Sequence, residues 1–204
     1  MYLCPVKANK MAGRPKIYDE DAVLDKAVKV FWEKGYANAS ADDLLTAMGI
    51  GKGSFYLAFK GGKQELFEKT MKRVVDQYFK ELKAAVAASA NPVKLVRDFF
   101  LGLASPQSSI GKSGCYFGNA LVQITDTDTG LKTLAAGYLQ VLENIFLDAM
   151  QRGKKMGLLK TDLAPKVLAA YLLNLWNGIN ITKRVEPNAK KLLELIKLNL
   201  EIIQ

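Results

Sequence analysis

The 204-residue chain carries 29 Lys and Arg against 20 Asp and Glu, a formal charge of +9, and contains no histidine. The length supports a substantial core in one or two domains, the positive excess favours a polyanionic partner, and the lack of histidine removes imidazole chemistry and an intrinsic charge switch near neutral pH. Cys4 and Cys115 are too far apart in sequence to suggest a disulfide framework or a structural zinc site, so no cofactor or metal is expected.

Charged residues interrupt every long apolar stretch, and the first ten residues lack the apolar run of a secretory signal; a cytoplasmic protein is expected, with Met11 a second candidate start. Gly13-Arg14-Pro15-Lys16 then forms a short basic arm that can place Arg14 in a DNA minor groove or serve as a plain solvated tail. Leu24, Ala27, Val28 and Phe31 recur at helical spacing, Trp32 and Tyr36 extend that apolar face, and Gly35 can end the helix. Ser40 is the N-cap candidate of a second helix, with Asp43 near its free amides and Leu44, Leu45 and Met48 facing inward. Gly49 takes the turn.

A third helix begins near Lys52 and sets Phe55 and Phe59 on one side, where they can close the core of a small three-helix unit. The other side is left for DNA. Lys52 and Ser54 can meet base edges or phosphates, Gly53 permits close backbone approach, and Tyr56 offers a phenolic donor to a phosphate. Leu57 can touch thymine methyls but cannot make a bidentate hydrogen bond. Ser40 can contact a phosphate as well as cap its helix. Lys63 is assigned to a phosphate near the start of the next helix, with Lys60 as substitute. An ordinary solvated or half-buried surface is the alternative for each.

A fourth helix, starting near Lys63, uses Leu66, Phe67, Val74, Tyr78 and Leu82 to join this unit to the rest of the chain. Asn91-Pro92 starts a helix carrying Val93, Leu95, Val96, Phe99, Phe100 and Leu103, and the polar, Pro- and Gly-containing run from Ser105 to Ser113 breaks it. Tyr116 to Ile124 forms another helix. Beyond Asp126-Thr127-Asp128 comes a long pattern through Leu131, Leu134, Tyr138, Val141, Leu142, Ile145, Phe146 and Met150, ending at Gly153 or Gly157. Asp162 is the cap candidate of a helix with Val167, Leu168, Tyr171, Leu172, Leu175, Trp176 and Ile179. After Glu186-Pro187 a last helix carries Leu192, Leu193, Ile196, Leu200 and Ile203. Val167, Leu168, Tyr171, Leu172, Leu175, Leu192, Leu193, Ile196, Leu200 and Ile203 are candidates for a four-helix interface between two copies, burial within one chain being the alternative.

The ordered set Gly35-Tyr36, Ala39-Ser40, Leu44 to Ile50, Gly53-Ser54-Phe55-Tyr56, Phe59 and Leu66-Phe67 resembles the N-terminal domain of TetR-type transcriptional regulators. Two departures stand beside the reading helix: Leu57 and Ala58 replace the aromatic or histidine side chains common there, and the Phe59 to Lys63 turn is one residue longer. The resemblance implies an all-α fold, with a helix-turn-helix DNA-binding domain over 14–62 joined to an effector-binding and dimerisation domain over 63–204. It also implies a homodimer on partly two-fold symmetric operator DNA, and a helical cavity for a small apolar or amphipathic effector. Phe99, Phe100, Cys115, Tyr116, Phe117, Asn119, Gln123, Tyr138, Leu142, Phe146, Trp176 and Asn180 are the candidates to line it, core packing being the alternative for the aromatics. The expected function is a repressor released from its operator by that effector. A redox-responsive regulator using Cys115, alone or with Cys4, and a ligand-independent architectural DNA-binding protein remain as alternatives, whereas no catalytic constellation or phosphate-binding glycine motif supports an enzyme.

Overall fold

The computed structural model describes residues 18–105, 113–124 and 128–204, and all regular structure in them is helical. Asp19 caps α1 (Glu20–Asn38) by accepting the Asp21 N–H at 3.0 Å, and Glu20 and Asp21 complement the positive end of the helix. Val23, Leu24, Ala27, Val28 and Phe31 are its buried stripe, and at Gly35 the backbone leaves helical geometry with φ +79°, a conformation open to glycine. Helix α2 (Ala41–Met48) stops at Gly49, which adopts the left-handed conformation at φ +71°. Helix α3 (Lys52–Ala58) follows at once.

From Gly62 to Ala88 the chain is one long rod: α4 (Gly62–Val74), a π-helical turn over Val75–Phe79, and α5 (Lys80–Ala88). The π turn had no counterpart in the apolar periodicity. Arg73 of α4 grips α1 by donating to both carboxylate oxygens of Asp25, at 2.8 and 3.0 Å, and pairs with Asp21 at 3.0 Å, while Gln77 donates to Asp25 at 2.8 Å. The Arg73 hydrogen bond holds the Asp25 carboxyl below its ordinary pKa.

The body adds α6 (Pro92–Gly102), capped by Asn91 with Pro92 in the first turn, and α7 (Tyr116–Gln123), capped by the Cys115 sulfur. Helix α8 (Thr129–Lys155), capped by Asp128, passes through Gly153 and ends before Gly157, whose φ is +68°. Gly153 permits close packing with the start of α6, because a Cβ there would lie 2.3 Å from Val93 Cγ2. Helix α9 (Pro165–Val185) is capped by Ala164 without a side-chain bond, so Asp162 is not its cap; Pro165 occupies the first turn, where its missing N–H costs nothing. Asn188 caps α10 (Ala189–Asn199), which tightens into a 3₁₀ turn over Leu200–Ile203.

One continuous apolar cluster runs from Val23 in α1 to Ile203 at the end of the chain, so the core does not break at residue 62. Helix α8 lies against α6, α7 and α9, while α1 lies against α2, α4 and α7. The contact between α1 and α7 is polar as well as apolar: Trp32 Nε1 donates to Gly114 O at 2.8 Å, and the Tyr36 N–H to Gln123 Oε1 at 3.1 Å. Between α4 and α7 the buried Thr70 and Tyr116 hydroxyls meet at 2.8 Å, and Thr70 also donates to Phe67 O at 2.7 Å. Among the described residues no helix is long and apolar enough to cross a membrane.

Candidate nucleic-acid interface and effector cavity

Helices α2 and α3 with the Gly49 turn form a helix-turn-helix held by short-range chemistry. Ser40 Oγ accepts the Asp43 N–H at 3.1 Å, and Asp43 Oδ2 accepts the Ser40 N–H at 3.1 Å, a reciprocal capping box. Lys34 closes it from α1 at 2.6 Å, and this bond, with those from Ser40, pulls the Asp43 carboxyl down to about 2. Ser40 Oγ serves here as acceptor, so its O–H is not consumed by the cap. Leu44, Met48, Phe55 and Phe59 are buried, the two phenylalanine rings 5.3 Å apart.

That packing leaves the opposite face of α3 uncovered. Lys52, Gly53, Ser54 and Lys60 are exposed, Tyr56 retains 51% of its surface, and Leu57 retains 78%. An exposed leucine flanked by lysines and hydroxyls gains nothing from folding, so packing does not explain it. Nor does packing demand glycine at position 53, where a Cβ would meet nothing within 4 Å. Lys63 is placed differently: its Nζ donates to Ala37 O at 3.2 Å and lies 4.9 Å from the Tyr36 ring centre, and partial burial lowers its pKa. It braces α4 against the end of α1, whereas Lys60 projects into solvent. Arg14, like Cys4, lies outside the described residues.

In the body the twelve effector candidates separate. Phe100, Phe117, Leu142 and Phe146 are fully enclosed, and Phe99 stacks on Trp176 with ring centres 5.6 Å apart. Tyr138 packs on Phe117 at 5.2 Å, and the buried Tyr116 spends its hydroxyl on Thr70. These aromatics and Leu142 pack in or against the core and are not among the residues lining the cavity between α7, α8 and α9, because an apolar helix face fills its own interior before it leaves a void. Cys115, Asn119, Gln123 and Asn180 do meet at a cavity of about 340 Å³ between α7, α8 and α9. Asn177, Ile181 and Arg184 of α9, Leu139 of α8, and Gly118, Leu121 and Val122 of α7 complete its lining. The sequence reading missed them. The available signal was Asn177, Asn180, Ile181 and Arg184 recurring three and four apart along α9.

Cys115 is buried, its sulfur accepting from Gly118 N–H and from Trp176 Nε1, each at 3.3 Å. Burial pushes its thiol pKa up, opposite to the thiolate a redox sensor needs, so the redox alternative gains no support.

The interface candidates divide by burial as well. Leu168, Leu172, Leu175, Leu192, Ile196, Leu200 and Ile203 are buried within the single chain, and Tyr171 and Leu193 are half-buried. Of the ten, Val167 alone is exposed. Helix α9 is apolar on two sides, and α8 has taken the one with the larger side chains. What remains uncovered is Val167, Ala170, Asn174, Gly178, Ile181 and Val185, a stripe at three-four spacing without a charge, with exposed Leu195 and Leu198 on α10.

The family signature described as bacterial regulatory proteins, tetR family, matches residues 23–70, the segment from α1 into α4. The HTH-type transcriptional repressor DhaR of Mycobacterium sp. (strain GP1) is 26% identical over 175 residues, covering 83% of this chain and 84% of that protein. ComR of Escherichia coli (strain K12), also an HTH-type transcriptional repressor, is 27% identical over 199 residues, 95% of this chain and 92% of its own. Among solved structures, a cysteine variant of the TetR family regulator CifR, complexed with 26 bp double-strand operator DNA, superposes with a TM-score of 0.82 at 24% identity, covering 92% of this chain and 98% of that one. Reduced NemR of E. coli gives 0.77 at 17% identity, covering 90% and 96%. A signature confined to the head, relatives aligned along most of their length and a shared all-helical fold agree with the uncovered face of α3: residues 23–70 carry the tetR-family signature, and the chain as a whole is similar to HTH-type transcriptional repressors.

Proposed function

We propose that the protein is a repressor that binds a partly two-fold symmetric operator as a homodimer and lets go when a small apolar or amphipathic effector enters its body. One observation carries the DNA reading: α3 buries Phe55 and turns Lys52, Gly53, Ser54, Tyr56 and Leu57 outward. In this reading Leu57 and Ser54 meet base edges, Lys52, Tyr56, Lys60 and the Ser40 hydroxyl hold phosphates, and Lys63 joins them by leaving Ala37 O. Arg14 follows the minor groove. Two heads reach successive half-sites on the order of 34 Å per helical turn apart, which requires pairing of two chains, and the neutral stripe on α9 with Leu195 and Leu198 suits that contact. Control by an effector draws support from the head–body bonds at Gly114 and Gln123, since a ligand that favours one arrangement of α7 shifts the DNA-competent population.

The test is selection of a preferred duplex from a random pool, followed by footprinting with the wild-type protein and with Tyr56→Phe and Leu57→Ala variants. A two-fold symmetric site whose affinity drops with Tyr56→Phe and whose base preference changes with Leu57→Ala is expected. Binding without sequence preference would sink the reading.

A further inference from the structure

The cavity between α7, α8 and α9, about 340 Å³, lies at the small end of the roughly 300–1,000 Å³ of ligand sites. Its wall is divided by chemistry. Leu121, Leu139 and Ile181 give apolar surface; Asn119, Asn180 and Arg184 give polar groups, and no carboxylate lines it among the described residues. Arg184 is held in place by neutral acceptors: its Nη2 donates to Asn119 Oδ1 at 2.7 Å and to Ser113 O, and Asn119 Nδ2 donates to the same carbonyl at 2.7 Å. A guanidinium fixed this way keeps its charge and further N–H donors, the equipment for a carboxylate or similar oxyanion. A cation entering here would face that charge, and a wholly apolar molecule would leave the charge unmatched.

The same cavity reaches the N-terminal head through Gln123. Gln123 ends α7, lines the cavity, and accepts the Tyr36 N–H through its Oε1 at 3.1 Å. Because α1 breaks at Gly35, that amide is directed to α7 and not along its own helix. Gly35 also makes the room, since a Cβ there would lie 1.8 Å from the glutamine oxygen.

We propose that the cavity binds a small organic anion with an apolar body, its acid group on Arg184 and its body against Leu121, Leu139 and Ile181, and that occupancy is reported to the head through Gln123. This rests on the effector-controlled reading and names its ligand class and its relay. A ligand that draws the Gln123 carboxamide inward strands the Tyr36 N–H and loosens α1 from α7.

Hexanoate and benzoate, each beside its uncharged counterpart 1-hexanol or benzyl alcohol, are titrated calorimetrically into the full chain. At least one acid binds tenfold or more tighter than its alcohol, Arg184→Gln loses that margin, and Arg184→Lys, which keeps the charge, retains part of it. Amide hydrogen exchange at Tyr36 rises on binding; in Gln123→Ala it is fast from the start and insensitive to ligand. Absence of acid binding, acids no better than alcohols, or a margin untouched by Arg184→Gln overturns the anion site. Binding that leaves Tyr36 exchange unchanged overturns the relay. Neither readout uses DNA, so acid binding with faster Tyr36 exchange but unchanged operator affinity would instead sink effector-controlled release and leave site and relay standing.

Discussion

Helices α3 and α9 both hold apolar side chains out in water, and the surroundings of those side chains differ. Around Leu57 the exposed residues are Lys52, Ser54, Tyr56 and Lys60, a mixture suited to phosphates and base edges. Along α9 the exposed stripe of Val167, Ala170, Asn174, Gly178, Ile181 and Val185 is itself neutral over five turns of helix, and Arg184 flanks it beside Ile181. An exposed hydrophobe therefore says only that something is missing. The charge and size of its neighbours distinguish a polyanion from a second apolar helix.

Breaking the comparison begins inside the head. Phe59→Ala removes a fully buried ring and should cost about 3–5 kcal/mol in urea denaturation, whereas Leu57→Ala should stay within about 0.5 kcal/mol of wild type. Equal losses would mean that Leu57 is a core residue. On α9, Val167→Asp should raise the dimer dissociation constant roughly a hundredfold, about 3 kcal/mol, measured by sedimentation; a dimer as tight as wild type would remove the stripe from the interface. The contrast sharpens with salt. Lys60→Ala should lower the dependence of operator affinity on salt by about one counterion while leaving base preference alone, and an unaltered slope would take Lys60 off the phosphates.

The smallest effect expected is a pH dependence of the head. The Asp43 carboxyl, drawn from 3.8 to about 2 by Lys34 and Ser40, contributes stability that is complete above its ordinary pKa and is lost as pH falls through about 2. The urea midpoint should therefore decline between these values, less steeply in Asp43→Asn. Identical profiles would show that the capping box does not respond to protonation.

The head was legible because its signals are local. Ser40 and Asp43 are three apart, Phe55 and Phe59 four apart, and Gly35 and Gly49 adopt the positive φ that a helix-ending glycine permits. The body was legible as helices but not as surfaces. Periodicity marks Leu168 and Leu172 as one side of α9 without saying whether α8 or a second chain covers it, and it marked Phe100 and Phe146 as apolar without separating core from void. The cavity combines α7 with α9 across more than fifty residues, and the π turn at Val75–Phe79, which lies against α8, has no mark in the apolar periodicity.

The Thr70–Tyr116 pair has a mechanical consequence. It is a polar peg in an oily seam, and sliding α4 along α7 by one helical turn would strand the Tyr116 hydroxyl, at about 1–3 kcal/mol, while Thr70 keeps its bond to Phe67 O. Small rotations about the peg keep the bond. The seam thus resists slippage while permitting tilt, so the attitude of the reading helix can change without its register against the body being lost.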